Sequence, residues 1–193
     1  MHDRQVRLAT RAASEVQARS GFQRLVIGGP DQLVADVERH LHPYLRTIYH
    51  RRIDLGPGSG PDELRRAVDS AEAEIARALQ SAAVDRLRDV VGRPDGRSGV
   101  AGLAPVLHAL ANHRVHRLLV SSGYEACGWR CPACATLATC GPTCPGCGQT
   151  MRVVDDVVSE AVDAAAAERA RIDVCVGTAD LDVLGGIGAL LRY

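Results

Sequence analysis

Apolar and polar positions alternate along the chain in two rhythms. Over residues 3–19, Val6, Ala9, Ala13 and Val16 recur every three to four positions, which predicts an amphipathic helix stopped by Gly21. The apolar run 22–27, closed by Gly28-Gly29-Pro30, reads as a buried strand ending in a turn. Pro30 opens a second helix that continues over 32–41, and 45–55 reads as a second strand.

The stretch 56–61, Gly-Pro-Gly-Ser-Gly-Pro, is the clearest linker. A long helix over 62–91 follows, with Leu64, Val68, Ala71, Ile75, Leu79 and Ala82 along its apolar stripe. Next come a polar loop (92–99), a helix (100–111) and a strand (115–121). Leu118-Leu119-Val120 mark that strand as buried on both faces. A helix over 155–170, a strand over 172–176 and a last strand over 189–193 complete the pattern. Helices alternating with buried strands predict an α/β protein whose C-terminal part is a three-layer α/β/α sandwich. Residues 124–151 interrupt the alternation and are expected to project as a small appendage.

Composition narrows the possibilities without naming a function. No stretch of 18 apolar residues exists, so no membrane span is expected, and the charged start at Met1 lacks the apolar core of a signal peptide. Seven cysteines without a secretion signal point to reduced thiols or a metal site. All 23 basic residues are arginine, a pattern that a GC-rich coding bias explains before phosphate binding does. Residues 1–55 hold nine arginines against six carboxylates, and the remainder holds 14 against 17. Neither part is basic enough for a stand-alone nucleic-acid binder. Arg4, Arg7 and Arg11 share one face of the first helix, either as a solvated face or as a ridge toward RNA.

The interruption carries the chemistry. Two Cys-Pro-x-Cys pairs, Cys131/Cys134 and Cys144/Cys147, stand nine residues apart. Each pair makes a tight knuckle that points two sulfurs at one ion, and two knuckles make a tetrahedral four-cysteine site for zinc or iron. Four thiolates close the shell, so the site is structural. A thiol-redox pair is the other reading, but it needs a βαβ context and the flanks here are turns. Cys127 and Cys140 are left over, and Cys175 in Asp-Val-Cys-Val-Gly reads as a core thiol. His40, His42, His50, His108, His113 and His116 read as ordinary surface or core histidines. No catalytic triad order, P-loop or dinucleotide fingerprint occurs.

The ending Leu184-Gly-Gly-Ile-Gly-Ala-Leu-Leu-Arg-Tyr193 resembles the close of the C-terminal domain of archaeal and eukaryotic class I peptide-chain release factors. The order long helix, helix, strand Val115–Ser121, cysteine insertion, helix, strand is similar to that domain as well. Residues 1–56 resemble the second half of the family's middle domain, and 57–193 its C-terminal α/β/α domain with a zinc ribbon at 124–151. The all-arginine, alanine-rich composition suggests a bacterial source, and within this release-factor and Pelota-like family the resemblance is taken to be to the bacterial Balon-type ribosome hibernation factors.

The resemblance implies a cytoplasmic, ribosome-associated factor with a structural zinc ion. It implies occupancy of the ribosomal A site, delivery by elongation factor Tu or a similar translational GTPase, and contacts at the stalk base of the large subunit. Arg4, Arg7, Arg11, Arg51 and Arg52 would face ribosomal RNA. The family's Gly-Gly-Gln loop, which hydrolyses peptidyl-tRNA, would lie upstream of Met1. No catalytic residue is carried over, and the chain itself is not expected to be an enzyme. A peptidyl-tRNA-hydrolysing release or rescue factor is one alternative. A stress-linked zinc-ribbon protein acting away from the ribosome is the other.

Overall fold

A computed structural model describes residues 2–56, 58–91 and 98–192, with the His2 side chain excluded. Most of the loop read at 92–99, and residue 193 at the end of the last strand, lie outside the described residues. The chain forms two compact units, Met1–Ile75 and Ala76–Tyr193, which divide within one long helix.

The first unit contains α1 (His2–Ser20), β1 (Leu25–Gly29), α2 (Asp31–His40), α3 (Pro43–Ile48), β2 (Tyr49–Asp54) and the start of α4 (Pro61–Val91). β1 and β2 pair in parallel, from Val26 opposite Arg51 to Gly29 opposite Asp54. Val6, Val37, Leu41 and Leu45 form the core under the helices, with Phe22, Ile27 and Ile48 against it. On the other side, Ile53 and Leu55 pack with Val26 and with Ala67 and Ala71 of α4. The apolar stripe of α1 is narrower than its sequence suggests. Val6 is buried and Ala13 half-buried, while Val16 is 43% exposed.

The strand expected at 45–55 begins four residues later. Pro43 starts a helical turn, and Leu41, Leu45 and Ile48 recur at helical spacing into the core. Only from Tyr49 do side chains alternate, with Arg51 and Ile53 on the more buried side.

The second unit contains the rest of α4, β3 (Gly99–Ala101), α5 (Leu103–Ala111), β4 (Val115–Ser121), β5 (Gly128–Arg130), β6 (Leu137–Ala138), β7 (Arg152–Val154), α6 (Val157–Ala167), β8 (Arg171–Cys175), α7 (Ala179–Val183) and β9 (Ile187–Leu191). Its main sheet has the order β3-β9-β4-β8, with β4 and β8 parallel and β9 antiparallel to β3 and β4. Leu118, Val120, Ile187 and Ala189 meet α5 and α6 on one face. Leu119, Cys175 and Leu190 meet Ala83, Val84, Leu87 and Val90 of α4, and Leu181 of α7, on the other. This is the expected three-layer sandwich, with β4 buried on both faces.

The terminal Gly-Gly-Ile-Gly string has a steric reason. A Cβ at Gly188 would stand 2.3 Å from Leu87 Cδ2, so only glycine lets α4 lie this close to β9. Gly186 turns the chain at φ +73 beneath Tyr124, where a side chain would also collide. β3 and α7 are additions to the sequence reading. β3 takes the first residues of the helix expected at 100–111, because Gly99–Ala101 pair with Gly188–Leu190.

Candidate metal centre

The insertion folds as a three-stranded antiparallel ribbon in the order β6-β5-β7, with Trp129 opposite both Ala138 and Val153. It does not project freely. Leu137 is buried in the core that α5 and α6 share, and Val154 packs against it. Arg130 Nη1 donates to Glu160 of α6 at 2.6 Å. A Cβ at Gly128 would meet Val157 at 2.6 Å, so the ribbon lies flat on the start of α6. Asp156 caps that helix, accepting from the amides of Val158 and Ser159.

The two knuckles are built alike. In the first, the Cys131 amide donates to Thr136 O and the Ala135 amide returns to Cys131 O at 3.0 Å. In the second, the Cys144 amide donates to Gln149 O and the Gly148 amide returns to Cys144 O at 2.9 Å. The residue after each second cysteine is left-handed, Ala135 at φ 59 and Gly148 at φ 75. These turns aim all four sulfurs inward. The Sγ atoms of Cys131, Cys134, Cys144 and Cys147 lie within 4.8 Å of one another.

Two sulfur contacts run across the knuckles, Cys131 to Cys147 and Cys134 to Cys144, each at 3.5 Å. A redox pair would instead join the cysteines of one knuckle. Thiolates 2.3 Å from a central tetrahedral ion stand about 3.8 Å apart, which this quartet brackets. The donor set therefore fits a metal ion that prefers sulfur. Cys131 and Cys144 are buried, while Cys134 and Cys147 reach the surface.

Local donors prepare the thiolates. Thr136 Oγ1, 3.1 Å from Cys134 Sγ, holds that thiol down at about 6, helped by the Thr136 amide. At Cys144, burial opposes ionisation, but the amides of Cys147 and Gly146 outweigh it and lower the thiol. Cys147 is pushed up to about 12: its contact with the Gln149 amide is outweighed by the crowding of the Cys134 and Cys131 sulfurs. A cation among the four resolves that crowding. The sequence pattern does not single out Thr136 or the Gly146 amide; a polar residue two positions after Cys134 is the only signal for Thr136, and Gly146 has none beyond its place in the knuckle. Cys127 and Cys140 are exposed and outside the quartet, and Cys175 is buried with its thiol raised by that burial.

The arginines singled out in the sequence fall into two groups. Arg4, Arg7 and Arg11 line one shallow exposed groove on α1 with Leu8 and Asp3. Arg7 pairs with Asp3 and Arg11 with Glu15 at 2.5 and 2.7 Å, but all four side chains are well exposed. Arg51 is held by Glu74, and Arg52 by Asp31 and Glu38, so these two are already committed to carboxylates.

No protein-family model matches the sequence, and no curated protein does. Solved structures do match. Archaeal Pelota in its ribosome-bound form with ABCE1 is 17% identical, with a TM-score of 0.59, over 98% of this chain and 49% of that one. Pelota from Archaeoglobus fulgidus is 18% identical, with a TM-score of 0.50, over 95% of this chain and 52% of that one. The C-terminal domain of a peptide chain release factor from Methanosarcina mazei is 22% identical, with a TM-score of 0.47, over 70% of this chain and 97% of that one. The chain thus has the fold of Pelota and spans about half the length of the Pelota chains it matches.

Proposed function

We propose that the chain forms the middle and C-terminal parts of a ribosome-associated translation factor of release-factor and Pelota type. The observation that carries this reading is the fold it shares, along nearly its whole length, with ribosome-bound archaeal Pelota. The task assigned to these residues is docking. The first unit supplies Arg4, Arg7 and Arg11 toward ribosomal RNA. Exposed ion pairs such as Arg7–Asp3 are worth little in water, so a phosphate can displace the carboxylate and take both donors of the guanidinium fork. Arg51 and Arg52, tied to Glu74, Asp31 and Glu38, are assigned to holding the first unit together.

In this reading Cys131, Cys134, Cys144 and Cys147 hold a zinc ion. Bound there, zinc cross-links the two knuckles and, with four thiolates, leaves no open position for substrate. The cross-link fixes the ribbon against α5 and α6. The acidic remainder of the chain is assigned to protein partners, a translational GTPase such as elongation factor Tu and the stalk base of the large subunit. The finer assignment is a hibernation factor seated in the A site of idle ribosomes.

Sedimentation through a sucrose cushion tests the reading. The zinc-loaded chain is expected to pellet with vacant ribosomes, more so when elongation factor Tu is added. A chain that stays in the supernatant under both conditions contradicts it.

A further inference from the structure

A cleft of about 440 Å³ opens within the second unit between α5, α6 and the first cysteine knuckle. Its floor is apolar, with Leu107 and Leu110 from α5 and Leu137 from β6. Its rim is acidic. Glu160, Asp163 and Glu168 all line it, because α6 presents the first two on one face with Ala164 and Ala167, and Glu168 caps its C-terminus. The basic side chains on the wall already have carboxylate partners. Arg130 donates to Glu160 at 2.6 Å, and His113 Nδ1 lies 2.8 Å from Glu168 Oε1.

Two carboxylate positions are left over. Asp163 is exposed and has no ion pair among the described residues. Glu168 Oε2 is buried with no hydrogen-bond partner, an arrangement folded proteins seldom leave unanswered. His113 contacts the other oxygen of this carboxylate, Oε1, from a side chain that is 81% exposed. The fold adds to the negative field. α5 ends at Ala111 and α6 at Ala167, both on the cleft wall, and helix C-termini carry partial negative charge. One cation lies behind the site: Arg192 Nη2 donates to the backbone oxygen of Glu168 at 3.0 Å.

We propose that this cleft docks a segment of a protein partner through an arginine or lysine side chain flanked by an apolar residue. The cationic head lies between Asp163 and Glu168, and the apolar neighbour rests on Leu107 and Leu110. A cavity of this size takes side chains and leaves no room for a whole helix. The charge of the rim selects a basic segment over an acidic one. The assignment rests on the walls and charges of the cleft alone and stands whether or not the chain binds ribosomes.

Fluorescence anisotropy with the metal-loaded chain tests it. The probe is a short labelled peptide of alternating arginine and leucine, compared with peptides carrying glutamate or serine in place of arginine. The arginine peptide is expected to bind at micromolar concentration and the other two far more weakly. Asp163→Arg, a change at an exposed position checked by circular dichroism, is expected to weaken binding at least about tenfold, the scale of a like-charge clash at an interface. Asp163→Asn should weaken it less. Equal binding of the serine peptide, or unchanged binding by Asp163→Arg, overturns the proposal.

Discussion

Ala135 carries a left-handed backbone at the place where the second knuckle has Gly148. A Cβ in that conformation is strained, so Ala135→Gly should stabilise the protein by about 0.5–1 kcal/mol, and Gly148→Ala should cost a similar amount. Urea midpoints with metal bound measure both. A second residue-scale prediction concerns pH. The Glu38 carboxyl is held below its ordinary range by the Tyr49 hydroxyl first, and then by Arg52. A carboxyl lowered by folding adds stability that is present above its unfolded pKa and is lost as pH falls through the lowered value. Glu38→Gln should therefore be less stable than the wild type at neutral pH, and the two should converge on acidification. A difference independent of pH would show that Glu38 acts through packing alone.

At the scale of elements, the second half of α4 is held to its sheet by Leu87, which is fully buried against the close backbone of β9. Leu87→Ala should cost about 2–5 kcal/mol through reduced burial and the cavity left behind. Gly188→Ala should be destabilising alone, since its new Cβ meets Leu87 Cδ2. In the Leu87→Ala background it should cost less, and a double-mutant cycle reads that coupling. The ribbon behaves as part of the sandwich. Because Leu137 lies in the shared core and Arg130 holds Glu160, Cys144→Ser should raise hydrogen exchange in 128–154 and also at the start of α6. Faster exchange in the ribbon alone would make it a true appendage.

Sequence periodicity carried the long elements and the four cysteines. Those signals are local: a stripe every three to four residues, or two knuckles at fixed spacing. α3, β3 and α7 escaped it because short elements are decided by partners far away in sequence. β3 exists only because β9 pairs with it, and α3 because Leu45 and Ile48 find the α1–α2 core. The packing of the ribbon and the cleft beside it were equally hidden. Both depend on Gly128, Leu137 and Glu160 meeting across the fold.

For the whole molecule, the proposed ribosome docking runs through the face of α1 that carries Arg4, Arg7 and Arg11, which line one groove. Binding to phosphates releases counterions, so affinity should fall linearly with salt on logarithmic axes. The most direct measurement is the ribosome affinity of the metal-loaded chain across a salt series, beside a variant with Arg4, Arg7 and Arg11 changed to alanine. The variant is expected to bind more weakly at low salt, with a slope shallower by about 2–3, since each phosphate that an arginine neutralises adds about one to the slope. Identical affinity and slope for the two proteins would contradict it.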